Sequence, residues 1–472
     1  MLVLRILTLG CAASALSGGK GWVGKAADLL RQKAPPSALV LDRAPTWEAL
    51  AASLEAQSTT EEAGVASLVA SGRGPPSASA NLRLFDENDG YEPRVTLYRD
   101  GSSWCPYCQK VWMQLEEKRI PYKVERINMR CYGSKPAWFE RDAGGLLPVV
   151  ELDGRLITDS VSIMLALERE FGGDRSLLPP GGVDDIRDLM GLERQLGSAW
   201  LGWLRAPPGV GGGARSNFEG QLSRVDGFLR SAAGGFFLGE ELSLVDLLFC
   251  SFLERAEASL LYYKGFRVRD AEAYPGVAAW FDAMESRASF RASQSDYYTH
   301  AMDLPPQLGG CSPEAGGEPF RAALDGGEWT LDALDAAPLQ PLVGARDDGA
   351  ARRAAARRLV ENRDAVATFA MRAHAPPGVP PVAAPLADPN NASPVRWHEA
   401  DVDAALRHAA AALLHGVDGN AVAKNDADGA ESAEPTKAAL DYLRRRVGVP
   451  RDLDYAAARQ LRAHLTWVMD QL

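Results

Sequence analysis

Cysteine is scarce in this chain, with six residues among 472. That is too thin for a disulfide scaffold, so the thiols are expected to be mostly reduced. Histidine is equally sparse. The six imidazoles are His300, His374, His398, His408, His415 and His464. Basic residues are outnumbered, 51 Lys and Arg against 62 Asp and Glu, for a net charge of −11. General nucleic-acid binding needs the opposite balance. Past the first residues, no apolar run is long enough to span a membrane. Acidic residues are missing from the start of the chain until Asp28. There Leu2 to Leu16 is apolar, carries Arg5 and holds a cleavage-like Ala13-Ser14-Ala15, with Lys20, Lys25, Arg31 and Lys33 behind it. This pattern marks residues 1–35 as a targeting leader, a transit peptide for the plastid (chloroplast) reached through the secretory route, with secretion as the alternative. The glycosylation acceptor Asn391-Ala392-Ser393 matters only in the secreted case.

What is present is a normal globular composition, 46% hydrophobic and 24% charged, around one chemically pointed run: Trp104-Cys105-Pro106-Tyr107-Cys108. Val95-Thr96-Leu97-Tyr98 upstream reads as a short strand and Asp100-Gly101-Ser102-Ser103 as a loop. Pro106 suits the first position of a helix, where its missing N–H costs nothing. Val111, Trp112 and Leu115 continue at helical spacing. Cys105 therefore belongs at a helix N-terminus, facing unpaired N–H groups and the positive end of the dipole, both of which favour thiolate, the nucleophilic form. Cys108 lies one turn further in, within reach to resolve a mixed disulfide. No second Cys-x-x-Cys exists and no histidine is close in sequence, so a four-ligand zinc site is not supported and no metal is expected. Strand, Cys-x-x-Cys at a helix start and a later Leu-Pro form a thioredoxin-like redox site. Cys250, inside an apolar helical run, reads as core.

Residues 36–92 form a pre-domain segment and linker, with one short helix over Trp47–Leu54. Residues 93–171 read strand (Val95–Tyr98), helix (Pro106–Lys118), strand (Tyr122–Ile127), irregular helix (Ala137–Asp142), strand (Val149–Leu152), strand (Arg155–Ile157) and helix (Ser160–Phe171). Asp153-Gly154 supplies the hairpin turn. This order is an α/β thioredoxin-like domain. Residues 183–300 turn helical, around Ile186–Leu204, Phe218–Ala232, Val245–Tyr263 and Gly276–Ser286. Residues 301–345 read as a loop-rich linker. Residues 346–472 form a helical extension, with helices at Ala350–Arg372, Val402–His415, Thr436–Val447 and Tyr455–Leu472. Arg352, Arg353, Arg357 and Arg358 read as a solvated helix face. The tail's apolar faces are expected to pack on each other or on the helical domain, leaving the Cys105 cleft open.

A thioredoxin-like domain followed by an all-α domain, over about residues 93–293, resembles the glutathione transferase superfamily. The cysteine at the helix start places the resemblance with its cysteine-type branch: the omega, lambda and dehydroascorbate reductase classes. Leader and tail resemble plant and algal members with a C-terminal helical extension. The resemblance implies glutathione as co-substrate and Cys105 as the catalytic cysteine. Lys135, in Lys135-Pro136-Ala137-Trp138-Phe139, matches a lysine that contacts glutathione. Leu147 and Pro148 match the residue before a cis-proline and that proline, where the glutathione backbone pairs like an added strand. Asp159 and Ser160 match a Glu-Ser pair holding the γ-glutamyl end, with Ser160 capping the next helix. Cys108 departs from the omega pattern, since Cys-Pro-Tyr-Cys is the run of dithiol glutaredoxins, and leaves monothiol and dithiol chemistry both open.

The activity implied is a glutathione-dependent thiol transferase or reductase acting through a Cys105–glutathione mixed disulfide. Its acceptors would be disulfides, glutathionylated thiols or dehydroascorbate-like molecules. The acceptor pocket is placed between the two domains near Trp200 and Trp203, with plain core as the alternative role for both. The expected partners are glutathione and a small-molecule or thiol acceptor, with no nucleic acid, no membrane for the mature form, and room for a homodimer. The rivals are a non-catalytic binding or assembly module on the same fold, and an iron–sulfur carrier ligated by Cys105 and glutathione.

Overall fold

The computed structural model describes residues 44–472, apart from residues 89, 130, 211, 233, 345, 376–383, 387–392 and 419–429. The expected leader and the Asn391 acceptor lie outside the described residues. Two helices open the described chain, α1 (Trp47–Gln57) and α2 (Thr60–Ala70), the second started by a capping box between Thr59 and Glu62. A mixed α/β unit follows: β1 (Leu82–Arg83), β2 (Val95–Asp100), α3 (Pro106–Glu117), β3 (Tyr122–Ile127), α4 (Ala137–Ala143), β4 (Val149–Leu152), β5 (Arg155–Thr158) and α5 (Ser160–Glu170). The sheet order is β1-β3-β2-β4-β5. Only the β2–β3 pair is parallel, in register from Val95 opposite Tyr122 to Asp100 opposite Ile127. That register follows from composition. Val95 and Leu97 alternate inward, fully buried, while Thr96 and Tyr98 stay half-exposed on the other face. The β4–β5 hairpin turns through Asp153 and Gly154, both at positive φ (52° and 79°), as a two-residue turn of the primed type requires.

The α-helical unit is α6 (Val183–Arg205), α7 (Gly212–Ala232), α8 (Leu244–Lys264), α9 (Pro275–Glu285), α10 (Ala288–Ser293) and α11 (Tyr297–Leu308). Its central helix, α8, is buried along its whole length. The Asp246 carboxylate fixes the start of that helix, accepting from Ser243 N (2.9 Å), Ser243 Oγ (2.6 Å), Phe237 N (3.0 Å) and Trp280 Nε1 (2.9 Å). One apolar core runs from the sheet face of α3 and α5 into α6, α7, α8 and α9. The stretch read as loop-rich is instead structured. Short helices α12 (Glu318–Ala322) and α13 (Leu331–Asp335) follow α11, and Tyr262 donates to the Asp325 carboxylate at 2.8 Å. Pro305 and Pro306 sit in the last turns of α11, where they interrupt a sequence reading without ending the helix.

The tail contains α14 (Asp348–Glu361), α15 (Arg363–Ala370), α16 (Glu399–His415), α17 (Ala430–Arg444) and α18 (Tyr455–Gln471). These helices share a second apolar core, to which α1 contributes Trp47, Leu50 and Leu54. The pre-domain segment is thus part of the tail module. Trp47 Nε1 donates to Asp403 at 2.7 Å. Three of the four clustered arginines read as a solvated face have side-chain partners on other segments: Arg353 bonds Glu62 at 2.7 Å, Arg357 bonds Ser58 at 2.7 Å, and Arg358 lies 3.5 Å from Asp452. Their partners are more than 90 positions away in sequence, which local charge patterning does not reveal.

Candidate functional site

The site is built where β2 hands the chain to α3. Asp100, the last residue of β2, is fully buried, and its Oδ2 accepts the Trp104 N–H at 2.6 Å. Arg99 donates to the Asp100 carbonyl (2.9 Å) and to Ser103 Oγ (2.7 Å), and Ser103 itself sits at φ 65°. These bonds hold the turn in one shape. Cys105 then takes the N-cap position of α3 in extended conformation, and its Sγ accepts the Cys108 N–H at 3.4 Å. Pro106 occupies N1, and its absent N–H leaves no orphan donor. The two thiols differ in environment. Cys105 is 7% exposed and Cys108 2%. Burial pushes the Cys108 thiol well above its ordinary range, and the neighbouring Cys105 adds to the rise.

Of the other residues singled out from sequence, Leu147 shares the apolar cluster of this pair. The Leu147–Pro148 bond is cis at the entry to β4. Lys135 is half-buried and its Nζ donates to the Gly145 carbonyl. Asp159 is exposed and held at φ 69°, and its Oδ1 accepts Ser162 N at 2.9 Å. The cap of α5 is therefore Asp159, whereas Ser160 was expected in that role; Ser160 is the first helical residue and is buried. A carboxylate already turned to its own helix is a consequence of that geometry. Burial lifts the Tyr107 hydroxyl to about 12, with smaller contributions from Cys105, Glu193 and Asp159. Trp200 and Trp203 are core residues, 2% and 1% exposed, the first bonded to Ser259 Oγ and the second packed between Phe218 and Phe266. Cys250 is fully buried and its thiol is pushed to about 12, chiefly by burial.

A buried polar network behind the motif has no sequence signature. Arg255 donates to the Trp104 carbonyl (2.7 Å) and to Gln109 Oε1 (2.6 Å). Gln109 in turn donates to Glu254 (2.6 Å), which also pairs with His300 Nε2 at 2.8 Å. Burial lowers the pKa of His300, with Arg255 acting in the same direction and Glu254 opposing. These residues belong to α3, α8 and α11, so the backbone of the loop before Cys105 is anchored to the helical unit.

The tail, expected to pack on the helical domain or on itself and to leave the Cys105 cleft open, also reaches this loop. Trp104 is fully buried and its Nε1 donates to the Val449 carbonyl at 2.9 Å, which also accepts from Ser295 Oγ at 2.6 Å. Arg451 stacks over the Trp104 ring at 4.8 Å. Leu386 and Ala384 join the apolar cluster around Trp104, Cys105 and Cys108. The connection is made through a main-chain carbonyl 345 positions away, and such a partner leaves no pattern in side-chain periodicity. The ligand atoms of Asp100, Cys105 and Cys108 lie within 4.8 Å of one another, one donor short of a tetrahedral metal site.

Residues 104–170 match the glutathione S-transferase N-terminal domain model, and residues 186–283 match the C-terminal domain model. Glutathione S-transferase DHAR2 of Arabidopsis thaliana is 29% identical over 192 residues, covering 40% of this chain and 84% of that protein. Glutathione S-transferase DHAR3, chloroplastic, of the same plant is 28% identical over 193 residues, covering 41% and 69%. Glutathione S-transferase omega-1 of Rattus norvegicus is 28% identical over 176 residues, covering 35% and 69%. The two domain-model matches begin after α1 and α2 and end before the tail. The α/β unit and the helical unit behind it therefore belong to the glutathione S-transferase superfamily, in its cysteine-type branch.

Proposed function

We propose that the protein is a glutathione-dependent thiol transferase in which Cys105 is the nucleophile. The observation that carries this reading is a single cysteine sulfur at the N-cap of α3, receiving an N–H bond from Cys108, in a cluster that Leu147 joins. Backbone N–H groups at a helix start favour sulfur as thiolate. The residues present suit glutathione. The main chain of Leu147 at the head of β4 offers an edge for the cysteinyl backbone, and the N-terminus of α5 at Ser160 suits the γ-glutamyl carboxylate. Asp159 would accept from the γ-glutamyl ammonium, and Lys135 would meet the far carboxylate on leaving Gly145.

In the reaction, Cys105 thiolate attacks the glutathionyl sulfur of a glutathionylated thiol or other mixed disulfide of glutathione. The new bond joins Cys105 to glutathione, and the acceptor sulfur leaves as a thiolate. A second glutathione thiolate, or Cys108, then attacks the mixed disulfide and restores or bridges Cys105. Relatives named as dehydroascorbate reductase-type and omega transferases support this class of chemistry. Two relatives named chloroplastic, together with the acid-poor start of the chain, support a plastid destination.

The test uses the full chain and a glutathionylated peptide. Intact and peptide mass spectrometry should find glutathione on Cys105. Cys105→Ser should lose the adduct and lower thiol transfer about 100-fold or more, as removing a nucleophile does. Undiminished transfer by Cys105→Ser would refute the assignment.

A further inference from the structure

The extension carries a cavity that the thiol chemistry does not use. It measures about 660 Å³ and opens to solvent between α14 and α15 on one side and α17, α18 and their connecting turn on the other. Small-molecule sites typically span roughly 300–1,000 Å³. None of its lining residues falls in the stretches that match the transferase domain models.

The lining divides by chemistry. Leu359, Leu443, Val447, Leu453 and Leu461 form a buried apolar floor, and Phe369 adds an aromatic ring. Above them four guanidinium groups, of Arg358, Arg372, Arg446 and Arg451, face two carboxylates, of Asp364 and Asp452. In a chain of net charge −11, a concave surface with surplus positive charge needs a reason.

The two carboxylates do not neutralise that surplus. Asp364 is turned to water, its side chain 98% exposed. Asp452 is shared: its Oδ2 accepts from Arg451 Nη2 at 2.7 Å, and its Oδ1 lies 3.5 Å from Arg358. Arg451 also donates to the Leu386 carbonyl (3.1 Å) and the Arg446 carbonyl (2.6 Å). Arg446 differs from these. Its guanidinium lies 3.6 Å over the Tyr442 ring and donates to the Tyr442 carbonyl at 3.3 Å, with no carboxylate partner among the described residues. Its Nε is buried without a hydrogen-bond partner among them. An aromatic face orients a guanidinium but leaves its edge N–H groups unsatisfied. Burial is the chief cause holding the Arg446 pKa below its ordinary value, as expected of a cation short of counter-charge.

The surplus also sets the charge of a fitting ligand. The lining carries two more positive than negative groups. A carboxylate or sulfonate brings one negative charge. A phosphate monoester brings about 1.5 to 2 near neutral pH, with three oxygens that suit guanidinium forks. The leucine floor requires an apolar body, which inorganic phosphate lacks.

We propose that the extension binds an organic phosphate monoester, its phosphate on Arg446 and Arg358 and its apolar body on the leucine floor. The site stands apart from Cys105 and does not depend on the thiol chemistry proposed above.

The test is isothermal titration calorimetry on the full chain with naphthyl phosphate as the probe. Three relatives of the probe separate its parts: naphthalenesulfonate keeps the body with one charge, inorganic phosphate keeps the head, and naphthol keeps the body alone. Naphthyl phosphate should bind at least about tenfold tighter than each of them. Arg446→Met should weaken it about tenfold to a hundredfold, the usual range for a lost charge-assisted bond. Ala365→Trp should weaken it as much by filling the cavity, and because Ala365 is exposed on α15 that variant folds even if Arg446→Met does not. Cys105→Ser should bind like the wild type, and glutathione should not displace the probe. No binding to the wild type, equal affinity for the sulfonate, wild-type affinity in a folded Arg446→Met or in Ala365→Trp, or displacement by glutathione would each overturn the proposal. A Cys105→Ser protein that keeps full thiol transfer would overturn the nucleophile assignment and leave this site standing.

Discussion

Arg462→Met should unfasten the tail from the loop before Cys105. Arg462 and Asp296 form an ion pair at the seam between α18 and α11, with side chains 2% exposed on both sides. The guanidinium also donates to the Val447 carbonyl at 2.7 Å and lies 5.0 Å and 5.2 Å from the rings of Tyr298 and Trp329. Methionine keeps the apolar stem and removes the charge. Asp296 then retains the Thr299 N–H at 2.9 Å but no cation. Breaking a buried pair from one side costs about 3–5 kcal/mol, and the orphaned Val447 carbonyl adds about 1 kcal/mol. A whole domain is held by only about 5–15 kcal/mol, so the seam should part before either module melts. Denaturant unfolding should change from one transition to two. Val449, two residues beyond Val447, should then loosen from Trp104, and native-state alkylation of Cys105 should accelerate about tenfold, the equivalent of 1.4 kcal/mol of opening. Adding Asp296→Asn should restore part of the loss, because the stranded charge is gone. A single transition shifted by less than about 1 kcal/mol, with Cys105 alkylated at the wild-type rate, would show that the seam does not control the loop.

Two further outcomes follow from individual residues. Asp159→Ala removes the cap of α5 and should cost about 1 kcal/mol of stability, read by denaturant titration. If Asp159 also holds the γ-glutamyl ammonium, the KM for glutathione should rise beyond what that stability loss explains, and an unchanged KM would remove it from the binding site. His464 is buried on α18 with its pKa lowered to about 4, chiefly by burial. Between its unfolded value near 6.5 and about 4, the unfolded chain binds the extra proton. Stability should therefore fall with pH through that window, by up to about 3 kcal/mol, and His464→Leu should flatten that part of the profile; an unaltered slope would refute it.

The sequence made the α/β unit legible because its signals are local. A β-branched strand, a proline at N1, an Asp-Gly turn and a Leu-Pro pair each act within a few residues, and the elements they announced appear within one to three residues of their expected ends. The helical unit was readable for the same reason. Three features were not readable. Strand β1 has only two residues, and it is held by Arg83 gripping Glu116 at 2.8 and 2.9 Å across 33 positions. Asp100 stands before Gly101-Ser102-Ser103, where an aspartate reads as a turn former; its burial and its bond to the Trp104 N–H are not visible in the sequence. The union of α1 and α2 with the tail rests on side chains 356 and 291 positions apart.

That union also bears on why the loop before Cys105 carries a tryptophan. A buried indole needs a partner for its N–H. Here the partner is supplied by the tail, at Val449. The reverse dependence is steric. A Cβ placed at Gly448 would lie 2.5 Å from Trp104 Cζ2, closer than any side chain tolerates, so the tail residue that meets the indole must be glycine. Trp104 and Gly448 are therefore matched parts of one joint, contributed by the transferase unit and by the extension. The same indole is packed against Tyr132 at 5.5 Å and carries Arg451 on its face, and its own carbonyl is held by Arg255. Cys105 follows directly in the chain. A sulfur whose preceding residue is bonded on one side to α8 and on the other to the tail keeps its place at the helix start only while both are seated. On this physical ground the extension is part of the structure that positions the thiol.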